Sequence, residues 1–192
     1  MPAMHGDDAM NDTTSQGTGE LITLAGGCFW CTEAVFERVR GVLSVQSGYC
    51  NGHVSAPSYE QVCAGHTGHA EAVRVRFDPA QIGLHELLAI FFATHDPTTL
   101  NRQGADVGTQ YRSGIYVHSA AQEAVARAVL AEAQQAWGGR VVTEIEAERN
   151  YSPAEDYHQH YFARNPDQGY CAFVVAPKVA KFAQAFKEHL RD

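Results

Sequence analysis

At 192 residues, with 45% hydrophobic and 19% charged residues, the chain has the make-up of a soluble globular protein able to bury a core without disulfide staples. The net charge is -8, and Lys and Arg are scattered rather than gathered into a stripe, which argues against nucleic acid or an anionic membrane surface as partner. No apolar run approaches the roughly 20 residues of a membrane span, and the N-terminus lacks the basic-then-apolar order of a secretion signal, so a cytoplasmic location is expected.

Residues 1–20 are polar and aperiodic and read as a disordered tail, ahead of a single folded domain over 21–192. Leu21 to Ala25 reads as a short buried strand ended by Gly26-Gly27, and Phe29 to Val39 as a helix stopped by Gly41. A strand over Val42 to Tyr49 leads into a loop around 51–58, and Ala70 to Phe77 alternates as a half-buried strand does. Gly83 to His95 has helical spacing, closed by Asp96-Pro97, and a polar stretch from Thr98 to Arg112 follows. Ile115 to Val117 predicts a strand, Ser119 with Gln122 caps an Ala-rich helix ended by Gly138-Gly139, and Val141 to Ala147 predicts another strand. A short helix is expected after Ser152-Pro153, and a last helix from Pro177 to Leu190. This order points to an α+β fold, a two-layer split β-α-β (ferredoxin-like) sandwich with extra loops and helices.

Five cysteines, Cys28, Cys31, Cys50, Cys63 and Cys171, make an odd set in a chain with no sign of secretion, so thiol chemistry fits better than a disulfide framework. Cys28 follows a strand and two glycines at the start of a helix, where unpaired N–H groups favour thiolate and glycine admits a close-lying substrate. A buried structural cysteine is the plain alternative, and Cys28 with Cys31 also spells a C-x-x-C exchange pair. A structural zinc site is disfavoured because no second C-x-x-C exists, and no metal is expected. His66, His69, His158 and His160 read as solvent-facing. Cys50 and Cys63 read as structural.

In Ala70 to Phe77 the period of two puts Glu71 on the face of Val73, Val75 and Phe77. A carboxyl there is either buried, with a raised pKa and a proton to donate, or reaches water at the strand end.

Four segments in order, Gly26-Gly27-Cys28-Phe29-Trp30-Cys31, Gly65 to Val73, Gly108 to Ser113 and Ala154 to Gln159, resemble those of the peptide methionine sulfoxide reductase A family, from about Leu21 to Cys171. The resemblance implies an α+β catalytic domain that reduces the S epimer of methionine sulfoxide, free or in proteins, with no metal or organic cofactor and with thioredoxin as reductant. By the same resemblance Cys28 matches the nucleophile and Phe29 and Trp30 the apolar walls for the substrate's methyl group. Glu71 matches the proton donor, helped by Tyr59 and Tyr111, and Asp106 a positioning carboxylate. Tyr170-Cys171 matches the resolving segment, with Tyr170 toward the substrate. Many members have Gly where this chain has Cys31, and no cysteine follows Cys171, so Cys171 is expected to resolve the oxidised nucleophile with Cys31 as backup or next in a relay. The competing readings are a general dithiol–disulfide oxidoreductase using Cys28 and Cys31, and a redox-sensing or binding module that recognises oxidised methionine without turnover.

Overall fold

The computed structural model describes residues 19–192. The tail expected over 1–20 lies outside the described residues up to residue 18, and its last member, Glu20, already opens strand β1 (Glu20–Gly26). Helix α1 (Phe29–Phe36) follows, then β2 (Val42–Cys50), α2 (Tyr59–Cys63), β3 (Ala70–Phe77) and α3 (Leu84–Ala93). The polar stretch after it holds a small hairpin, β4 (Arg102–Gln103) with β5 (Asp106–Val107), and a 3-10 turn at Thr109–Tyr111. Strand β6 (Ser113–Val117), helix α4 (Ala120–Ala136) and strand β7 (Glu144–Ala147) come next. The chain closes with β8 (Ser152–Pro153), a 3-10 turn at Asp156–His158, α5 (Tyr161–Arg164), a π-helical turn at Cys171–Val175 and α6 (Ala176–Ala185).

The main sheet runs β7-β6-β1-β3-β2-β8. Its inner four strands are antiparallel, with β3 inserted between β1 and β2 and β1 between β3 and β6, so both helix crossovers skip a strand as expected. Only β7 joins in parallel, beside β6. One face carries Ile22, Leu24, Val73, Val75 and Phe77 into a core shared with Phe36 of α1 and Leu87, Leu88 and Phe91 of α3. The opposite face carries Ala25, Cys50, Ala70, Ala72 and Tyr116, covered in part by Tyr151.

The departures from expectation have local causes. Helix α1 stops at Phe36 because the chain tightens into i→i+3 bonds, Arg38 to Val35 and Val39 to Phe36, on its way to Gly41 at φ +94°. Strand β7 starts only at Glu144, since the Gln134 amide takes both backbone groups of Val141 (3.0 and 2.8 Å) and Val142 N–H bonds to Pro97. Ser152-Pro153 itself pairs with Gly48 and Tyr49 at the sheet edge, where a strand tolerates proline, and the short helix expected after it is split between the 3-10 turn at Asp156–His158 and α5. Helix α2, absent from the sequence reading, is held by a reciprocal capping box between Ser58 and Gln61, too short for periodicity to reveal. The last helix is divided, a π-helical turn at 171–175 running into α6 and a 3-10 turn closing at Lys187–His189.

Arg74 forks onto Glu148 at 2.8 and 2.7 Å while lying over the Tyr151 ring at 3.7 Å. Glu148, its side chain 9% exposed, also accepts from Thr23 at 2.8 Å, so the second face depends on this pair. Replacing Arg74 with Met strands that carboxylate and is expected to cost about 2 kcal/mol in urea unfolding. Adding Glu148→Gln should then recover part of the loss.

Candidate active site

The end of β1 and the start of α1 form the turn that carries Cys28. Gly27 has φ +92°, and a Cβ there would stand 2.6 Å from Gln103 Cγ. A Cβ on Gly26 would press on Phe91 and His95 at 3.2 and 3.3 Å. The glycines therefore admit the protein's own side chains, not a substrate as the sequence suggested. Cys28 is the N-cap of α1 and partly exposed, whereas Cys31 is buried one turn on.

The two thiols lie one helical turn apart, and their mutual hydrogen-bond coupling is the leading influence on the acidity of both. Cys28 is held well above the usual thiol range, first by that coupling, then by burial and, once Glu71 ionises, by its negative charge; the Trp30 amide at the helix start pulls the other way and is outweighed. Cys31 is lowered, first by the same coupling to Cys28, and further by the charge of Lys178, against burial. The helix start thus acts on Cys28 as expected in direction, but the pair keeps the proton on Cys28 at rest.

Glu71 lies on the helix-facing side of β3 and is 1% exposed, which removes the water-reaching alternative. Its Oε1 accepts the Phe29 N–H at 3.2 Å, the first amide of α1. Burial, ahead of every other influence, pushes its carboxyl up to about 8, so it is mostly protonated at neutral pH.

Tyr59, at the start of α2, and Tyr111, at the end of the 3-10 turn, are both raised by burial and both feel Glu71. Asp106 on β5 accepts the Tyr170 hydroxyl at 2.6 Å, and that hydroxyl lies 4.0 Å from Cys31 Sγ. Burial likewise raises Tyr170, followed by the charges of Cys28 and Cys31. Phe29 is fully buried against Tyr49 and His158, at ring distances of 5.7 and 5.1 Å. Trp30 is half-buried and stacked flat on Tyr161 at 3.7 Å, with Tyr170 edge-on at 5.9 Å.

Cys171 is fully buried in the core, its thiol raised by burial and then by Cys31; its N–H bonds to Gln168 at 3.0 Å. Cys50 is buried on the far face of the sheet, but Cys63, expected to be structural, is exposed at the end of α2, where its acidity is coupled to that of Tyr59. His66 and His160 face solvent as expected. His69 and His158 do not: each is 1% exposed. His69 Nε2 bonds to the Val54 carbonyl at 2.6 Å, and His158 lies in the aromatic cluster. Sequence reasoning also missed Tyr161, for which no local signal exists, while His158 lay inside the Ala154–Gln159 segment and was read as solvent-facing.

Among the described residues, one group could gather a metal ion, Glu33, Glu37 and His160, with ligand atoms within 4.8 Å of one another; no cysteine takes part. Glu33 is already bonded to Ser47 at 3.0 Å and to the Tyr161 N–H at 3.3 Å, and burial raises it to about 7.

A partly exposed thiol, a second thiol one helical turn on and a buried neutral acid one strand away can together attack an electrophilic sulfur and protonate what it releases. The comparisons agree with this chemistry. The family described as peptide methionine sulfoxide reductase matches residues 20–190. Peptide methionine sulfoxide reductase MsrA of Deinococcus radiodurans is 52% identical over 98% of this chain and 95% of its own length. Mxr1 from Saccharomyces cerevisiae in reduced form superposes with a TM-score of 0.74 at 42% identity, over 79% of this chain and 88% of that one. The same yeast protein in complex with Trx2 gives 0.52 at 31% identity, over 74% and 84%. Site geometry and similarity along nearly the whole chain converge: it belongs to the peptide methionine sulfoxide reductase family and is an enzyme of methionine sulfoxide reduction.

Proposed function

We propose that the enzyme reduces the S epimer of methionine sulfoxide, free or within proteins, by attack of Cys28 sulfur on the sulfoxide sulfur. The observation that carries this reading is the neutral, buried Glu71 anchored at the first turn of the helix that Cys28 caps. A general dithiol–disulfide exchanger has no use for such an acid.

As Cys28 forms its bond to sulfur, the Cys28 proton passes toward Cys31, whose lowered pKa makes it the more readily ionised thiol of the pair and so open to a proton. Glu71 gives its proton to the sulfoxide oxygen, and the hydroxyls of Tyr59 and Tyr111 stabilise charge growing there. Asp106, fixed by Tyr170, positions the substrate, while Phe29 and Trp30 wall in the methyl group. The oxygen transfers to Cys28, so a thiol and a sulfoxide become a sulfenic acid and free methionine. A second thiol then condenses with the sulfenic acid, releasing water and leaving a disulfide. The one-turn spacing on α1 and the coupling of its acidity to Cys28 support Cys31 in that step, ahead of the buried Cys171, which feels Cys31 and is suited to take the disulfide next. Reduction by a dithiol partner closes the cycle, and the Trx2 complex of the yeast relative supports thioredoxin in this role.

Each epimer incubated with dithiothreitol tests the reading: methionine should appear from the S epimer alone and vanish in Cys28→Ser, whose alcohol is too weak a nucleophile. Methionine from a folded Cys28→Ser protein would sink the mechanism. Glu71→Gln is expected to act in two opposite directions. Loss of the acidic proton should slow single-turnover methionine release by about tenfold or more. Above about pH 8, where Glu71 is ionised, the variant should lack the charge that raises the Cys28 pKa, so iodoacetamide should alkylate Cys28 faster than in the parent. For the resolving step, Cys31→Ser should release one methionine per enzyme and then accumulate sulfenic acid, trapped by dimedone. Cys171→Ser should still form a Cys28–Cys31 disulfide on peptide mapping but recycle slowly with thioredoxin. A direct Cys28–Cys171 bond formed at the parent's rate in Cys31→Ser would restore Cys171 as the first partner.

A further inference from the structure

His158 sits among Phe29, Tyr59 and Tyr157, at ring distances of 5.1, 4.5 and 4.1 Å, and its Nδ1 accepts the Trp30 indole N–H at 3.1 Å. An imidazole nitrogen that accepts carries no proton, so the neutral ring must hold its hydrogen on Nε2. Burial pushes His158 below the usual imidazole range, which keeps it in that neutral form. The Nε2–H is buried and meets no acceptor among the described residues. A side chain present for packing alone would carry this stranded donor to no purpose, since phenylalanine fills similar space without one. Phenylalanine cannot accept a hydrogen bond from Trp30.

We propose that His158 is a positioning and specificity-determining residue of the reductase site, setting the rotation of the Trp30 indole and its spacing from the Tyr59 hydroxyl. The inference rests on Trp30 acting as a wall for the substrate's methyl group. Tyr161 covers one face of the indole and His158 pins its N–H edge, so the remaining face stands at a fixed angle. Because His158 touches Trp30 on one side and Tyr59 on the other, it sets the gap between the apolar wall and an oxygen-directed donor. That gap decides which S-alkyl group fits while the sulfoxide oxygen reaches its donors.

The Trp137→Phe protein, in which Trp30 is the sole tryptophan, provides the first readout. Its indole N–H resonance should lose its downfield shift and exchange protection in His158→Phe and keep both in His158→Asn, whose side-chain oxygen stands where Nδ1 was. In single-turnover assays His158→Phe should raise the half-saturating concentration of methionine sulfoxide about tenfold with the saturated rate little changed, as expected for lost uniform binding. Its preference for methionine sulfoxide over ethionine sulfoxide should shrink, and His158→Asn should restore both values. In a Trp30→Phe background the His158→Phe change should add no further loss. Should His158→Phe fail to fold, His158→Gln, which puts its amide at the Nε2 position, takes its place. An unchanged indole resonance in the loss variant, or equal kinetic losses in the loss and Asn variants, would overturn the proposal. A parent enzyme that releases no methionine would defeat the functional reading instead, leaving the indole measurement to judge the hydrogen bond by itself.

Discussion

The hydrogen bond from the Phe29 amide to Glu71 ties the first turn of α1 to a central strand, and the placement of the surrounding side chains follows from it. A carboxyl group in an apolar core persists by shedding its charge or by finding donors, and Glu71 does both. The bond fixes where α1 begins, hence where its N-cap sulfur stands and which way Phe29 and Trp30 project. Trp30 in turn seats Tyr161, His158 and Tyr170, and Tyr170 holds Asp106. This arrangement has a thermodynamic cost with a definite sign. The unfolded carboxyl ionises near 4.5 and the folded one near 8, so between these values the unfolded chain binds fewer protons. The contribution of Glu71 to stability therefore falls as pH rises through that window.

The thiol pair adds a second constraint. A nucleophile kept protonated at rest is guarded against adventitious oxidation, because the thiolate is the form that peroxides attack. In the proposed reaction it is substrate binding, with Glu71 neutral, that makes the charge on Cys28 tolerable. The neighbouring Cys31, stabilised by Lys178, is the place for the displaced proton to go.

Much of this was legible in the amino acids because its causes are local. Strand β3 matches its expected bounds, since period two over eight residues admits one reading, and Ser119 caps α4 by bonding to the Gln122 N–H as its spacing implied. Glu71 stood out as a carboxyl on an apolar face, and Cys28 as a thiol at a helix start. What stayed hidden depends on distant partners. His158 is buried because a tryptophan 128 residues away donates to it, and β8 is a strand because Gly48 and Tyr49 offer it an edge. No pattern within either segment encodes those meetings.

Gly27 has a bearing on how this enzyme could change. Its bare backbone lets Gln103 lie against the nucleophile's turn, and the Gln103 amide is locked to both backbone groups of Asp96 at 2.9 Å. The hairpin bearing Asp106 is thus keyed to the turn bearing Cys28, with no side chain at position 27 to act as a cushion. Variation in the length of that hairpin would be felt as a displaced carboxylate beside the sulfur before it was felt as a loss of fold. The lineage is therefore freer to elaborate the outer end of the loop, around Leu100, than the turn at Gly104 that sets the reach of the hairpin.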